Sequence, residues 1–272
     1  MKNWLLNTLR TAVILLSATL LITSCQQSDF DEPLLDVETV MVSFNSSIDN
    51  QALTRAWDGT NVDKLYFELY VDQSRIERKE FNVTDGNIVN FKIELLKNMT
   101  YTAVFWAQNS SCDVYIKDNL SEISIDYNSN IGSDFSAISN CDAFHAACTF
   151  TVNQETIKNG VDVKLTRPFA LIIAGVNDFT SGTTSITVSD VATKFNAFSY
   201  EASEGERKTF NFTPNGTTTV PGKSHKMIGM AYVLPLKDTV TTVTVKTMPS
   251  KESSITLEKL EANKRYNILS AQ

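Results

Sequence analysis

The stretch "CDAFHAAC" places Asp142, His145 and Cys148 within seven residues of one another. A thiol beside an imidazole, with a carboxylate to orient the ring, is the equipment of cysteine-based acyl transfer. The surroundings argue against that chemistry. "AFHAACTF" reads as a strand entering a core, where His145 belongs on an exposed or hydrogen-bonded face and Cys148 packs as a small apolar group. The 272 residues contain no GxSxG, no HExxH and no glycine-rich phosphate loop,. Their carboxylates are scattered rather than paired. With no CxxC and only His145 and His225 as imidazoles, the thiols have no standard zinc set to join. Neither catalysis nor a metal or other cofactor is expected.

Four cysteines are present, at 25, 112, 141 and 148. Cys25 closes "MKNWLLNTLRTAVILLSATLLITSC". Lys2 and Arg10 give a positive start, and Thr11 to Ile22 form an apolar core of 12 residues. That core is too short to span a bilayer, which takes about 20 apolar residues, and it has the build of a secretory signal. The small and apolar residues of "LITS" before Cys25 resemble the bacterial lipobox, which implies removal of residues 1–24 and acylation of Cys25. Several acyl chains anchor firmly, because each buried CH₂ contributes about 0.8 kcal/mol. Of the other three cysteines, Cys112 and Cys141 lie in polar stretches, "NSSCDVY" and "SNCDAF". An exported chain can hold one disulfide. Three pairings are open, and the settings favour Cys112 with Cys141.

After Cys25, "QQSDFDEP" carries Asp29, Asp31 and Glu32. Residues 25–36 read as an acidic, solvated tether, and the run resembles the export signal of surface lipoproteins in the Bacteroidetes. From Cys25 onward the chain holds 22 basic and 31 acidic residues, net −9. Such a chain has no electrostatic footprint for nucleic acid.

The elements that must position these residues are strands. "TVMVSFNS" puts Val40, Val42 and Phe44 on one face, and "KLYFELYV" alternates Leu65, Phe67 and Leu69 against Tyr66, Glu68 and Tyr70,. Asp85-Gly86, between two strand runs, is a hairpin signal because both residues tolerate positive φ. "TYTAVFWAQ" is apolar on both faces and belongs in the middle of a sheet. Near residue 160 the character resets, with Asn159-Gly160, a short strand, Pro168 and an apolar run from Phe169 to Val176. Pro168 fits a strand opening, and Arg167 beside it is read as structural, its stem laid over aromatic neighbours. Further strands follow in "TSITVS", "KTFNFT", "KMIGMAYVLPL", "TVTVKT", "SSITLEKL" and "RYNILSA", and no stretch demands a long helix. The reading is all-β, with an N-terminal unit over 37–160 and a C-terminal unit over 161–272. Phe67, Val104, Trp106, Phe169, Ile172 and Tyr232 are expected in the cores.

The lipobox, the first strand ending near Arg55-Ala56, "YTAVFWAQ", "DAFHA", "LTRPFALIIAG" and "EANKRYNIL" together resemble the fimbrillin-like lipoproteins of Bacteroidetes, in the type V pilin superfamily. Leu171 stands where a Gln often follows "RPFA" in that family. The resemblance implies two transthyretin-like β-sandwich domains in series. It also implies an outer-membrane lipoprotein at the cell surface, acting as a structural or adhesive fimbrial subunit. Its partners would be other pilin-like subunits joined by β-strand addition, the outer membrane through the lipid, and host or bacterial surface ligands. In this mechanism a trypsin-like protease cuts after an arginine, here between Arg55 and Ala56, releasing the first strand, Val37–Ile48. A neighbour's strand then fills the groove. The donor would be "RYNILSAQ", in which Tyr266, Ile268 and Ser270 alternate with Asn267, Leu269 and Ala271. Uncut, Arg55 is an arginine in an exposed joint.

Two further features bear on function. Asp238-Thr239-Val240 fits an acidic-Thr-aliphatic O-glycosylation pattern at Thr239, and it also reads as the turn that opens a strand. The alternative function is a monomeric glycan- or ligand-binding surface lipoprotein. Such sites present aromatic platforms. Trp106 is read as core and Trp57 as a poor platform on its own, which leaves Tyr115, Tyr127 and Tyr200 as exposed contributors.

Overall fold

A computed structural model describes residues 38–49, 62–83, 88–127, 135–247, 251–257 and 259–270. Its architecture follows from where the alternating residues find cover. The first strand, β1 (Thr39–Ile48), turns Val42, Phe44 and Ile48 inward and exposes Met41. It pairs antiparallel with β4 (Ile88–Leu96) and parallel with β9 (Val161–Leu165), giving the sheet order β4-β1-β9. This sheet lies over a second one, built from β2 (Lys64–Val71), β3 (Ser74–Asn82), β5 (Thr100–Gln108) and β8 (Ala143–Thr151) in the order β3-β2-β5-β8.

The second sheet explains why "KLYFELYV" and "TYTAVFWAQ" are apolar on alternate and adjacent positions alike. Leu65, Phe67 and Leu69 of β2 join Ala103 and Phe105 of β5 in a core beneath the β1 sheet. From the opposite face, Tyr66, Tyr70, Val104 and Trp106 enter a second core. At β2 and β5 the sheet is therefore a shared middle layer with both faces buried, while β3 at its edge has no buried residue.

The second core is closed by β6 (Tyr115–Ile116), β7 (Ile123–Ile125), the short helix α1 (Phe135–Ser139) and the C-terminal strands. There β10 (Ala170–Val176) lies between β13 (Lys226–Val233), antiparallel, and β16 (Arg265–Ser270), parallel. A larger sheet runs β15 (Lys251–Leu257), β14 (Thr241–Thr247), β11 (Thr184–Asn196), β7, β6, with β12 (Glu201–Phe212) also on β11. Helix α2 (Gln154–Asn159) is capped by Asn153, whose Oδ1 accepts from the Thr156 N–H at 3.0 Å, and it ends at Gly160 with φ 78°. A side chain at Gly160 would meet the Ser43 carbonyl oxygen at 2.8 Å, so glycine is required there,. Glu38–Gln272 form one compact unit around the two cores.

The all-β reading holds, and the six residues expected in the cores are all buried. One local expectation is corrected. The strands flanking Asp85-Gly86 do not form a hairpin, because β3 pairs with β2 and β4 with β1, in different sheets. The turn itself lies outside the described residues. β3 is already taken by the strand just before it, β2, through a two-residue turn at Asp72-Gln73 in which Asp72 has φ 54°, so β4 is free to join the other sheet,. The strand expected to open the C-terminal unit, β9, lies beside β1, while β6 and β7 adjoin β11.

Candidate functional site

The seat of β1 is the first feature with functional geometry. Phe44 is fully buried, stacked on Phe91 at 5.2 Å and edge-on to Phe67 and Phe150 at 5.4 Å each. Burying such a side chain contributes about 1.5–3 kcal/mol. Ser46, also buried, donates to the Val89 carbonyl at 3.0 Å. The rim is polar, with Thr39 donating to Glu94 at 2.7 Å and the Asn45 amide to Asp162 at 2.8 Å. β1 is thus stitched on both edges, and its departure would bare the facing edges of β4 and β9 together with the pockets holding Val42, Phe44 and Ile48. At the other end of the chain, β16 is already paired with β10 in this structure.

Asp142, His145 and Cys148 are not brought together. Successive strand residues face opposite sides, so Cys148 packs toward the first core while His145 points toward the second. Burial pushes the Cys148 thiol up to about 11, so it stays protonated at neutral pH,. Asp142 is engaged by Arg167, which donates through Nε and Nη2 at 2.5 Å each. Arg167 is 1% exposed, lies over the Phe144 ring at 4.9 Å and donates through Nη1 to Asn263 at 2.9 Å. Burial alone would lower its pKa, and the Asp142 hydrogen bonds and charge outweigh that and raise it,. The structural reading of Arg167 holds, with a carboxylate partner that sequence reasoning had assigned elsewhere.

The expectation for His145 is corrected. It is buried, and its Nδ1 has no hydrogen-bond partner. Its ring stands edge-on to Phe195 at 4.7 Å and to Tyr200 at 4.6 Å, and desolvation pushes its pKa down to about 3. Of the three tyrosines read as exposed, only Tyr200 is. Tyr115 packs on Trp106 at 5.3 Å and donates to the Cys141 carbonyl. Tyr127 donates to the Ala192 carbonyl at 2.9 Å and accepts from the Leu234 N–H at 3.0 Å. Each phenol has an internal backbone partner, which is why a tyrosine in a polar-looking stretch ends up inside.

Sequence reasoning also missed Glu68, fully buried in the middle sheet. Its carboxylate accepts from Tyr70 Oη at 2.5 Å, Arg75 Nη1 at 2.7 Å, the Leu120 N–H at 3.0 Å and Arg78. The one available signal was a glutamate on a face otherwise occupied by Tyr66 and Tyr70. Cys112 and Cys141 are joined by a disulfide with Cα atoms 5.2 Å apart, bracketing the segment that carries β6, β7 and α1. Thr239 is half-buried just after a turn at Asp238, φ 56°, and donates to the Lys237 carbonyl at 3.3 Å. Cys25, Arg55, Ala56 and Trp57 lie outside the described residues. Among the described residues no group of three His, Cys, Asp or Glu is placed to hold a metal ion.

With this geometry in hand, a family model described as a family of unknown function, DUF6562, matches residues 35–264. The chain belongs to that family. No curated protein matches it. Among solved structures, this DUF6562 member is similar to a candidate cell adhesion protein of Bacteroides eggerthii, with a TM-score of 0.53, 11% identity and 86% of each chain covered. A candidate adhesin of Bacteroides ovatus gives a TM-score of 0.52 at 9% identity, covering 87% of this chain and 89% of that one. Candidate polysaccharide binding proteins of Bacteroides thetaiotaomicron give 0.52 at 9% identity, covering 84% and 90%. At such identities the likeness is one of fold. The chain shares its all-β fold with these Bacteroides adhesin, cell adhesion and polysaccharide binding candidates.

Proposed function

We propose that this chain is a lipid-anchored cell-surface subunit with a structural or adhesive role in a fimbria-like assembly. The observation that carries the reading is the seat of β1. The first described strand is held between two others over an apolar groove, and the joint containing Arg55-Ala56 follows it in sequence. Cleavage at Arg55–Ala56 would release residues 25–55. A groove that loses a strand is a template for another strand, since main-chain hydrogen bonds and alternate side-chain pockets are both left unfilled. The lipobox, the acidic tether and a fold shared with adhesion proteins support the same reading.

The test is the N-terminal sequence and intact mass of the protein recovered from its native cell surface. A chain beginning at Ala56 supports strand exchange. A chain beginning at acylated Cys25 removes processing for this subunit and leaves a lipid-held anchor, tip or monomer. The second reading, a monomeric glycan-binding lipoprotein, is favoured by one observation: the exposed Tyr200 lies at an open cleft.

A further inference from the structure

That cleft, of about 970 Å³, opens between β8, β11, the turn carrying Tyr200, and the two segments that follow β13 and β15. Its volume is at the upper end of those that hold small organic ligands, about 300–1,000 Å³. Apolar side chains of Phe195, Leu234, Pro235 and Leu260 line it, together with the polar groups of Thr166, Asn196 and Ser199. Lys194, Lys237 and Lys259 are matched in number by Glu122, Glu201 and Glu261, and the Arg167 charge at the wall is already met by Asp142. The cleft therefore has no net charge with which to select a phosphate, a sulfate or an ammonium group.

Two observations mark the wall beside Tyr200. Tyr200 holds a left-handed backbone, φ 63°, that bulky residues seldom adopt,. The residue is 51% exposed, yet its hydroxyl is pinned to one residue, accepting from the Ala147 N–H at 2.7 Å and donating to the Ala147 carbonyl at 3.1 Å. Next to it, the buried His145 also lines the cleft and has the Nδ1 that lacks a partner. A buried polar atom left unbonded costs about 1–3 kcal/mol. The Tyr200 ring stands against the imidazole, with centroids 4.6 Å apart and planes at 61°.

We propose that this cleft binds a neutral carbohydrate unit, with Tyr200 as its aromatic wall and His145 as a hydrogen-bonding group behind it. A sugar offers an apolar C–H face to the ring. Its hydroxyls both donate and accept, so either tautomer of a neutral imidazole is served. Balanced charge and fixed amide and hydroxyl groups suit an uncharged polyol better than an acidic or basic peptide. The assignment rests on surface display and the adhesive role, and it is independent of strand exchange.

The test uses the full mature chain, lipid-anchored in detergent micelles, titrated with three neutral oligosaccharide series (gluco-, manno- and N-acetylglucosamine oligomers). Heparin and polygalacturonate serve as charged controls. The expected result is saturable binding to at least one neutral series that changes little with added salt. Tyr200→Ala should weaken it at least tenfold, and Ser203→Trp, which fills the cleft from an exposed position while leaving Tyr200 intact, should abolish it. Both variants are checked for an unchanged melting transition. Absence of binding to all three neutral series overturns the proposal, as does binding confined to the charged polymers or binding that survives Ser203→Trp. A chain that enters a fibre but binds none of the sugars refutes this site alone. A chain that binds but stays monomeric refutes the polymer reading alone.

Discussion

Asp142 and Arg167 form a charge pair removed from water, and such a pair matters most when one partner is lost. Asp142→Asn leaves a buried guanidinium without its counter-charge and is expected to cost about 3–5 kcal/mol, read from the urea midpoint at constant slope. Replacing both residues, as Asp142→Leu with Arg167→Met, is expected to cost much less than Asp142→Asn. His145 gives the pH dependence. Its folded pKa, about 3, lies below the ordinary value of 6.5, so between those values the unfolded chain carries the extra proton. Its contribution to stability is complete above pH 6.5 and is lost as pH falls toward 3, at up to about 1.4 kcal/mol per pH unit. His145→Phe is expected to flatten that part of the stability–pH curve. The sequence displayed Arg167 as a structural residue because Pro168 fixes a strand entry beside it. It did not display Asp142 as the partner, because the two lie 25 residues apart and meet only once β8 is laid down.

Among the elements, alternating strands were legible and pairing was not. β1 shows its inward face in Val42 and Phe44, and β9 shows its own in Val161, Val163 and Leu165. Nothing in either stretch says that they lie side by side in parallel, since that depends on a crossover of the whole intervening chain. The exposed Tyr200 was foreseen, but its cleft was not, because its walls come from segments scattered between residues 121 and 262. The bridged segment gives a direct test. Cys112 and Cys141 are 29 residues apart, and replacing both by Ser is expected to lower stability by about 2–4 kcal/mol. Because Tyr115 packs on Trp106, near-ultraviolet circular dichroism should report loosening of that contact.

For the molecule as a whole, the middle sheet decides how the two cores behave. Leu65, Phe67 and Phe105 belong to one core, and Tyr66, Val104 and Trp106 to the other, on the same strands. Neither core can lose that sheet while the other keeps it. Thermal unfolding of the chain from Glu38 onward is expected to be one transition by both tryptophan fluorescence and far-ultraviolet circular dichroism. Trp106→Ala, at a cost of about 3–5 kcal/mol, should move that whole transition rather than split it.

The parallel neighbour of β1 also has a meaning in time. Asn45 meets Asp162 across 117 positions of sequence, and during synthesis the chain emerges in order. The strand that appears first therefore waits with one flank bare until β9 arrives. Contacts so distant along the chain make for slow folding. Through that interval the vacant flank can accept any extended segment nearby, including one from another copy of the same protein. The newborn chain thus holds β1 while the seat of β9 is still empty, a gap on the opposite side of the pair from the one that loss of β1 would leave.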